Sequence, residues 1–261
     1  MTVIKKLLTI CCIGLCATLG ATTIPLHVCT VASHPTSTLA QLSDSCKANG
    51  INLDVLGIGQ PYKGNGQKLT YLKRYVEQLP EGDVVMFVDA YDTLVLTDSK
   101  TIISKFLAYD CHCIVGGETC FCPASRLHYR DQVPDAPTKF KYLNSGTIIG
   151  YAGFIKTMLH QIPIDESTSD QGQLWDFYMK HPDDIVIDYY ANLFLTLQGV
   201  AVQEISIDIE NRSIHYLPTG TTPIVVHGNG DGKPFYQNMY DKMFKRQFHN
   251  HYVWRLQPPA N

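Results

Sequence analysis

Apolar and polar positions along this chain switch repeatedly between the period of a strand and the period of a helix. Residues 24–32 (Ile-Pro-Leu-His-Val-Cys-Thr-Val-Ala) form a mostly apolar run that predicts a first strand. Residues 38–49 move to helical spacing, with Leu39, Leu42 and Cys46 on one face and Gly50 as the stop. Residues 51–58 predict a second strand, and residues 59–66 a loop rich in Gly, Pro and Asn. A helix follows over 67–78, with Leu69, Leu72, Tyr75 and Val76 on its apolar face. The unbroken apolar run from Val84 to Val88 has the pattern of a strand buried on both faces of a parallel sheet. A further apolar run begins after Asp92, a helix is predicted over 101–108, and another strand over 111–115. The β-α-β-α-β order predicts an α/β domain, doubly wound, with a mostly parallel central sheet.

The second half is less regular. Asn144-Ser145-Gly146 has turn chemistry and predicts a polar turn before an apolar strand. Helices are predicted over 153–161 and over 167–180, the latter opening on Ser and Asp caps. Residues 185–187 and 201–207 predict strands, and residues 224–227 a strand ending in His227. A glycine-rich loop, Gly228-Asn229-Gly230-Asp231-Gly232-Lys233, comes next. The basic and aromatic tail after about residue 240 predicts a surface helix. With no internal repeat and no strong linker, residues 22–261 are expected to form one domain.

The first residues carry a different pattern. Lys5 and Lys6 precede a charge-free apolar run over 7–21 that closes on the small residues Gly20-Ala21. This is the signature of a secretory signal cleaved near residue 22. The run is short for a membrane span, which needs about 20 residues, and an uncleaved signal anchor is the alternative. Export predicts a secreted, periplasmic or lumenal protein, according to the host. It would make the Asn211-Arg212-Ser213 sequon usable in a host that glycosylates. Hydrophobic residues at 45% and charged residues at 17% provide for a sizeable core. A net charge of −3 with no basic stripe argues against a nucleic-acid partner. Cys11, Cys12 and Cys16 lie in the leader. Cys29, Cys46, Cys111, Cys113, Cys120 and Cys122 fit disulfides or buried thiols. The C-x-C spacings allow pairing across a short loop and suit a Cys₄ zinc site poorly.

Three chemical clusters stand at predicted strand ends. Asp89 and Asp92 leave the apolar strand three residues apart, where ligands gather in open α/β sheets. Two carboxylates there can share a hard cation, Mg²⁺ or Mn²⁺; the alternative is a helix cap at Asp89 and a turn at Asp92. His227 with these carboxylates would suit an ion of intermediate hardness, Mn²⁺, or it is a satisfied histidine at a strand end. Backbone N–H groups of the Gly228–Gly230 segment, with the Lys233 ammonium, suit a diphosphate. Gly66-Gln67-Lys68 at a helix start offers a second anionic contact. Taken singly, each cluster is explained better by turns and caps. Taken together on a doubly wound sheet, they favour an enzyme acting on a nucleotide diphosphate.

Five segments resemble the glycosyltransferase domain of the lysyl hydroxylase (procollagen-lysine dioxygenase) family. They are Gly64-Asn65-Gly66-Gln67-Lys68, Val85-Met86-Phe87-Val88-Asp89-Ala90-Tyr91-Asp92, Leu143-Asn144-Ser145-Gly146, Ser169-Asp170-Gln171 and Pro223-Ile224-Val225-Val226-His227-Gly228-Asn229-Gly230. They occur in the family order and span most of the chain after residue 21; the first, second and last are the specific ones. The resemblance implies a single GT-A type, Rossmann-like domain and a UDP-sugar donor. It implies Mn²⁺ (Mg²⁺ as the alternative) held by Asp89, Asp92 and His227. Tyr91 is implied to lie against the nucleotide and Asn144 near the donor sugar. Lys68, Ser145, Gly146, Gly228, Asn229, Gly230 and Lys233 complete the expected donor site, with Asp170 and Gln171 joining Asn144 in catalysis. Retention at the anomeric carbon and a hydroxyl acceptor on a protein or glycan are also implied.

Two departures bear on this. Where the family often carries a long acidic run, this chain has Ser167-Thr168-Ser169-Asp170, with one carboxylate. The chain also leaves no room after this domain for an Fe(II)/2-oxoglutarate dioxygenase, so lysine hydroxylation is not expected of it. Asp170 would stabilise the cationic sugar or act as nucleophile, or else cap the following helix. A catalytically weakened carbohydrate- or nucleotide-sugar-binding module and a nucleotide-sugar hydrolase are the alternative functions.

Overall fold

The computed structural model describes residues 24–245. The expected leader lies outside the described residues, as does most of the tail beyond residue 240. Elements run in the order β1 (Leu26–Val31), α1 (Ser37–Ala48), β2 (Leu53–Leu56), α2 (Gln67–Val76), β3 (Val84–Val88), β4 (Thr93–Val95), α3 (Ser99–Leu107), β5 (Cys113–Glu118) and β6 (Tyr142–Tyr151). They continue with α4 (Ala152–Gln161), α5 (Asp170–Tyr178), β7 (Val186–Asp188), β8 (Phe194–Thr196), β9 (Ile205–Asp208), β10 (Ser213–Tyr216), β11 (Val225–His227) and α6 (Lys233–Tyr240).

The main sheet has six strands in the order β2-β1-β3-β6-β5-β7. β1 pairs in parallel with β2 and β3, and β5 with β7. Only β6 runs against its neighbours. The predicted α/β architecture with a mostly parallel central sheet is what is observed. All five residues of β3 are buried, and its period of two serves two cores. Val85 and Phe87 pack with Leu72, Val76, Ile155 and Trp175 from α2, α4 and α5. Val84, Met86 and Val88 pack with Leu42, Ile102 and Phe106 from α1 and α3. Helices on both faces explain why this strand reads as continuously apolar. α1 begins where predicted, with the Thr36 hydroxyl accepting the Leu39 N–H at 3.0 Å. It ends before Gly50, whose φ of +67° lies in the left-handed region that favours glycine.

Three local expectations are corrected. Asn144-Ser145-Gly146 is not a turn but the middle of β6. Its backbone pairs with β5 across a bulge between Val115 and Gly116, and the Asn144 side chain bonds inward. Turn-forming side chains are tolerated in a strand when the ladder takes their backbone and buried partners take their polar atoms. The strand ending in His227 does not belong to the main sheet. β11 lies in a second sheet of order β4-β11-β8, antiparallel to β4 and parallel to β8. β4 and β8 were too short to stand out in the sequence as strands of a separate sheet. Finally, all six cysteines among the described residues are free thiols. Cys29, Cys46 and Cys113 are the buried thiols foreseen as one alternative, whereas the pairing across the C-x-C loops is not formed.

Candidate functional site

The site forms where the main sheet meets the smaller one. The chain leaves β3 at Val88, turns through Asp89-Ala90-Tyr91-Asp92, and enters β4 in the second sheet. No helix follows Asp89, so the capping alternative does not apply. β4 then pairs antiparallel with β11, setting Thr93 opposite His227. That pairing delivers the imidazole: His227 Nε2 lies 3.3 Å from Asp92 Oδ1 and 3.7 Å from Asp89 Oδ2. Among the described residues, one group of metal-ligating side chains is close enough to hold an ion: Asp89, Asp92 and His227, with ligand atoms within 4.8 Å of one another. On the other side β6 runs past the end of β3, and the Asp89 N–H donates to the Gly146 carbonyl at 2.8 Å. A Cβ on Gly146 would overlap His227 Cε1 and stand 2.8 Å from Asp89 Oδ2. Only glycine lets the imidazole and the carboxylate converge there.

The donor set fits a divalent ion. Two carboxylates and an imidazole suit Mn²⁺, and also Mg²⁺ less closely. The other ring nitrogen, Nδ1, faces Asn144 Oδ1 at 3.0 Å, the kind of outer contact that orients a ligating histidine. Burial alone would push the His227 imidazole down, but Asp92 and Asp89 hold it above its ordinary value. Burial likewise works against ionisation of Asp92, yet His227, with smaller help from Lys233 and Lys68, keeps its carboxyl below the usual range.

Lys68, at the second position of α2, is drawn to the cluster. Its Nζ lies 2.7 Å from Asp89 Oδ1 and 2.7 Å from Asp170 Oδ2. Burial opposes its charge, but the two carboxylates outweigh burial and raise its affinity for the proton. Asp170 is the first residue of α5 and only 4% exposed in its side chain. The N-cap is its neighbour Ser169, whose hydroxyl accepts the Gly172 N–H at 3.2 Å. The cap alternative for Asp170 therefore falls to Ser169.

Two adjoining cavities share Asn65, Lys68, Asp89, Asp92 and Lys233. One, about 690 Å³ counting space open to solvent, is lined by Tyr62, Tyr71, Tyr91 and residues 31–33. The other, about 790 Å³ on the same measure, is lined by Asn144, Ser145, Gly146, Asp170, Gln171, His227, Asn229 and Gly230. Each is within the size of a small-ligand site. The carboxylate–histidine cluster and both lysines thus sit at the junction of an aromatic and a polar chamber.

Most expected residues are brought together here, but several are already engaged. The Gly228 N–H donates to the Asp92 carbonyl at 2.7 Å, so it binds the cluster's own backbone. Gly228 itself lines neither chamber. Gly230 has φ +56°, and a Cβ there would strike the Gln198 side chain. Gln171 is a strut: its Oε1 accepts the Ser145 N–H at 3.2 Å and its Nε2 donates to Glu118. Glu118, in the polar chamber, was missed in the sequence. The signal was present, since Glu118 ends β5 as Asp89 follows β3, but the glycines before it suggest that the strand stops at Val115. In fact the strand continues through Gly116 and Gly117, which pair with Asn144 and Leu143 of β6, and glycine is needed there because a Cβ on either would run into Thr147 or Phe140. Burial pushes the Glu118 carboxyl up, against the hydrogen bonds it accepts.

Comparison with known proteins gives this arrangement a family. The model described as "PLOD GT domain" matches residues 22–251. The chain is 28% identical over 227 residues to the "Multifunctional procollagen lysine hydroxylase and glycosyltransferase" of Caenorhabditis elegans, covering 80% of this chain and 31% of that protein. It is 27% identical over 224 residues to the human "Procollagen-lysine,2-oxoglutarate 5-dioxygenase 2", covering 80% and 30%. The chain therefore spans about a third of the length of these relatives. Among solved structures, "a glycosyltransferase involved in the glycosylation of the major capsid of PBCV-1" aligns with TM-score 0.47 at 10% identity, over 82% of this chain and 98% of that one. With the family model matching the whole of the described chain, the protein belongs to the PLOD GT domain family.

Proposed function

We propose that this chain is a metal-dependent glycosyltransferase that moves a hexose from a UDP-sugar to a hydroxyl on a protein or glycan, with retention at the anomeric carbon. One observation carries the reading. Asp89, Asp92 and His227 converge at the junction of an aromatic chamber and a polar one, with Lys68 and Lys233 reaching both. A nucleotide sugar has that order of chemistry: a flat base, a diphosphate, then a hydroxyl-rich ring.

In this reading Tyr91 and Tyr62 border the base, and the ammonium groups of Lys68 and Lys233 face the diphosphate. Asp89, Asp92 and His227 would hold Mn²⁺ in preference to Mg²⁺, because imidazole is a softer ligand than oxygen. When bound, the ion supplies charge neutralisation for the departing diphosphate. The Asp170 carboxylate, held 2.7 Å from Lys68 Nζ, faces the sugar and favours positive charge on the ring. Asn144, Ser145 and Gln171 line the same chamber and shape it around the ring. In the net reaction, the bond from the anomeric carbon to the UDP oxygen breaks and one to the acceptor oxygen forms. The acceptor's proton is released, giving glycoside, UDP and H⁺.

A panel of UDP-sugars with Mn²⁺, with and without hydroxylated peptide or glycan acceptors, tests this. Glycosylated acceptor with stoichiometric UDP is expected. Free sugar plus UDP, whatever the acceptor, would make the protein a hydrolase. Binding without turnover would make it a binding module.

A further inference from the structure

Glu118 takes no part in the function argued so far, yet three amide side chains from three different elements donate to it. Gln171 Nε2 of α5 lies 2.5 Å from Oε1. Asn144 Nδ2 of β6 lies 3.1 Å from Oε2. Asn229 Nδ2, two residues beyond β11, lies 2.9 Å from the same oxygen. The carbonyl end of each amide is claimed by a backbone N–H: Ser145 for Gln171 at 3.2 Å, Gly146 for Asn144 at 2.9 Å, and Gln198 for Asn229 at 3.1 Å. A backbone N–H can only donate and a carboxylate can only accept. The orientation of all three amides is thereby dictated from both ends.

For Asn144 this reaches the imidazole. Its Oδ1, already accepting the Gly146 N–H, lies 3.0 Å from His227 Nδ1. An oxygen in that position requires a proton on Nδ1. Neutral imidazole carries one proton, so Nε2 keeps its lone pair, and Nε2 is the nitrogen facing Asp92 and Asp89. From this geometry we infer that Glu118 is a positioning residue that acts through Asn144 to set the tautomer of His227, so that Nε2 is ready to ligate a metal. The inference rests on the metal reading of the Asp89, Asp92 and His227 cluster. It assigns to one buried acid the alignment of β5, β6, α5 and the loop after β11. A glutamine of nearly the same size cannot replace it fully, since its own amide would present an NH₂ group to at least one of the three NH₂ groups around it. Removal of the acceptor leaves only the Gly146 N–H to hold Asn144, so its amide turns over more readily and offers NH₂ to His227, which favours the wrong tautomer.

Binding of Mn²⁺, with and without UDP, should be measured by calorimetry on the wild type, Glu118→Gln and Glu118→Met. A supporting outer-contact change typically costs about 10- to 100-fold in metal affinity. That loss is expected for Glu118→Met, with a smaller loss for Glu118→Gln. In ¹⁵N spectra, the neutral His227 ring of the wild type should carry its proton on Nδ1. Its signals can be assigned by their absence in His227→Asn, and the ring should become a tautomer mixture in Glu118→Met. A purely structural role would lower stability in the variants but leave the tautomer unchanged. Unchanged metal affinity in Glu118→Met overturns the inference while leaving the metal reading intact. If that variant fails to fold, a wild-type His227 protonated on Nε2 overturns it instead. Wild type that binds no Mn²⁺ in either condition overturns the metal reading and this inference together.

Discussion

Gly146 and His227 illustrate how closely single residues control this site. Because a Cβ on Gly146 would overlap His227 Cε1, Gly146→Ala should displace the imidazole and weaken Mn²⁺ binding by about tenfold or more. The comparison to make is a Mn²⁺ titration of both proteins at one pH, together with their unfolding curves to verify the fold. His227 also sets a pH dependence. Asp92 and Asp89 raise its proton affinity in the metal-free protein despite burial, and a proton on Nε2 competes with the metal. Mn²⁺ affinity should therefore decline on acidification from a pH above the ordinary histidine value of about 6.5. Titrations through a buffer series locate the midpoint, and a midpoint near 4 would assign the loss to the carboxylates alone. The effect on stability has the opposite sense: a raised folded-state value stabilises the metal-free protein below the unfolded value, and that contribution is lost as pH rises through the folded one. Asp89, Asp92 and His227 stood out in the sequence because polar side chains at the ends of apolar runs are conspicuous, and Lys68 because it opens a helix after a glycine-rich loop. Glu118 was obscured by the glycines that precede it.

At the scale of elements, helices behaved as local chemistry predicts. α3 opens on Asp98, whose Oδ1 accepts the Thr101 N–H at 2.8 Å. That bond holds the Asp98 carboxyl below its usual range. Asp98→Ala should cost about 1 kcal/mol in stability, the usual worth of such a cap, with turnover unaffected because α3 lies away from the cluster. Since the folded-state value is depressed, the stabilisation is present above the ordinary carboxylate value and disappears as pH falls through the folded one. Urea unfolding of both proteins at neutral and strongly acidic pH checks this; a difference that persists unchanged in acid would contradict it. Strands were harder to foresee. β6 contains Asn-Ser-Gly, yet the β5 ladder and the buried partners of Asn144 and Ser145 outweigh the turn preference of those residues. α5 shows the same dependence on context: Ser169 takes the cap, which leaves Asp170 available for Lys68.

At the scale of the molecule, the site joins two sheets, because Asp89 leaves one and His227 ends a strand of the other. An ion held between them should tie the sheets together, and a diphosphate should supply remaining ligands. Mn²⁺ and UDP should accordingly bind cooperatively, each tightening the other by the same factor. In thermal unfolding, both ligands together at about 100 times their dissociation constants should raise the midpoint by roughly 10–20 °C. That shift should exceed the sum of the separate effects, and simple additivity would refute the shared site. The sequence by itself determined the α/β class, the central strand, the presence of the first five helices and the identity of the polar residues at strand ends, since these depend on local periodicity and side-chain chemistry. Tertiary structure decided which strand ends meet. The sequence reading brought His227 to the acids through parallel neighbours in one sheet, whereas the antiparallel pairing of β4 with β11 does so in a second sheet. Pairing partners and strand direction are set by long-range burial and backbone hydrogen bonding, which leave little trace in a three-residue strand.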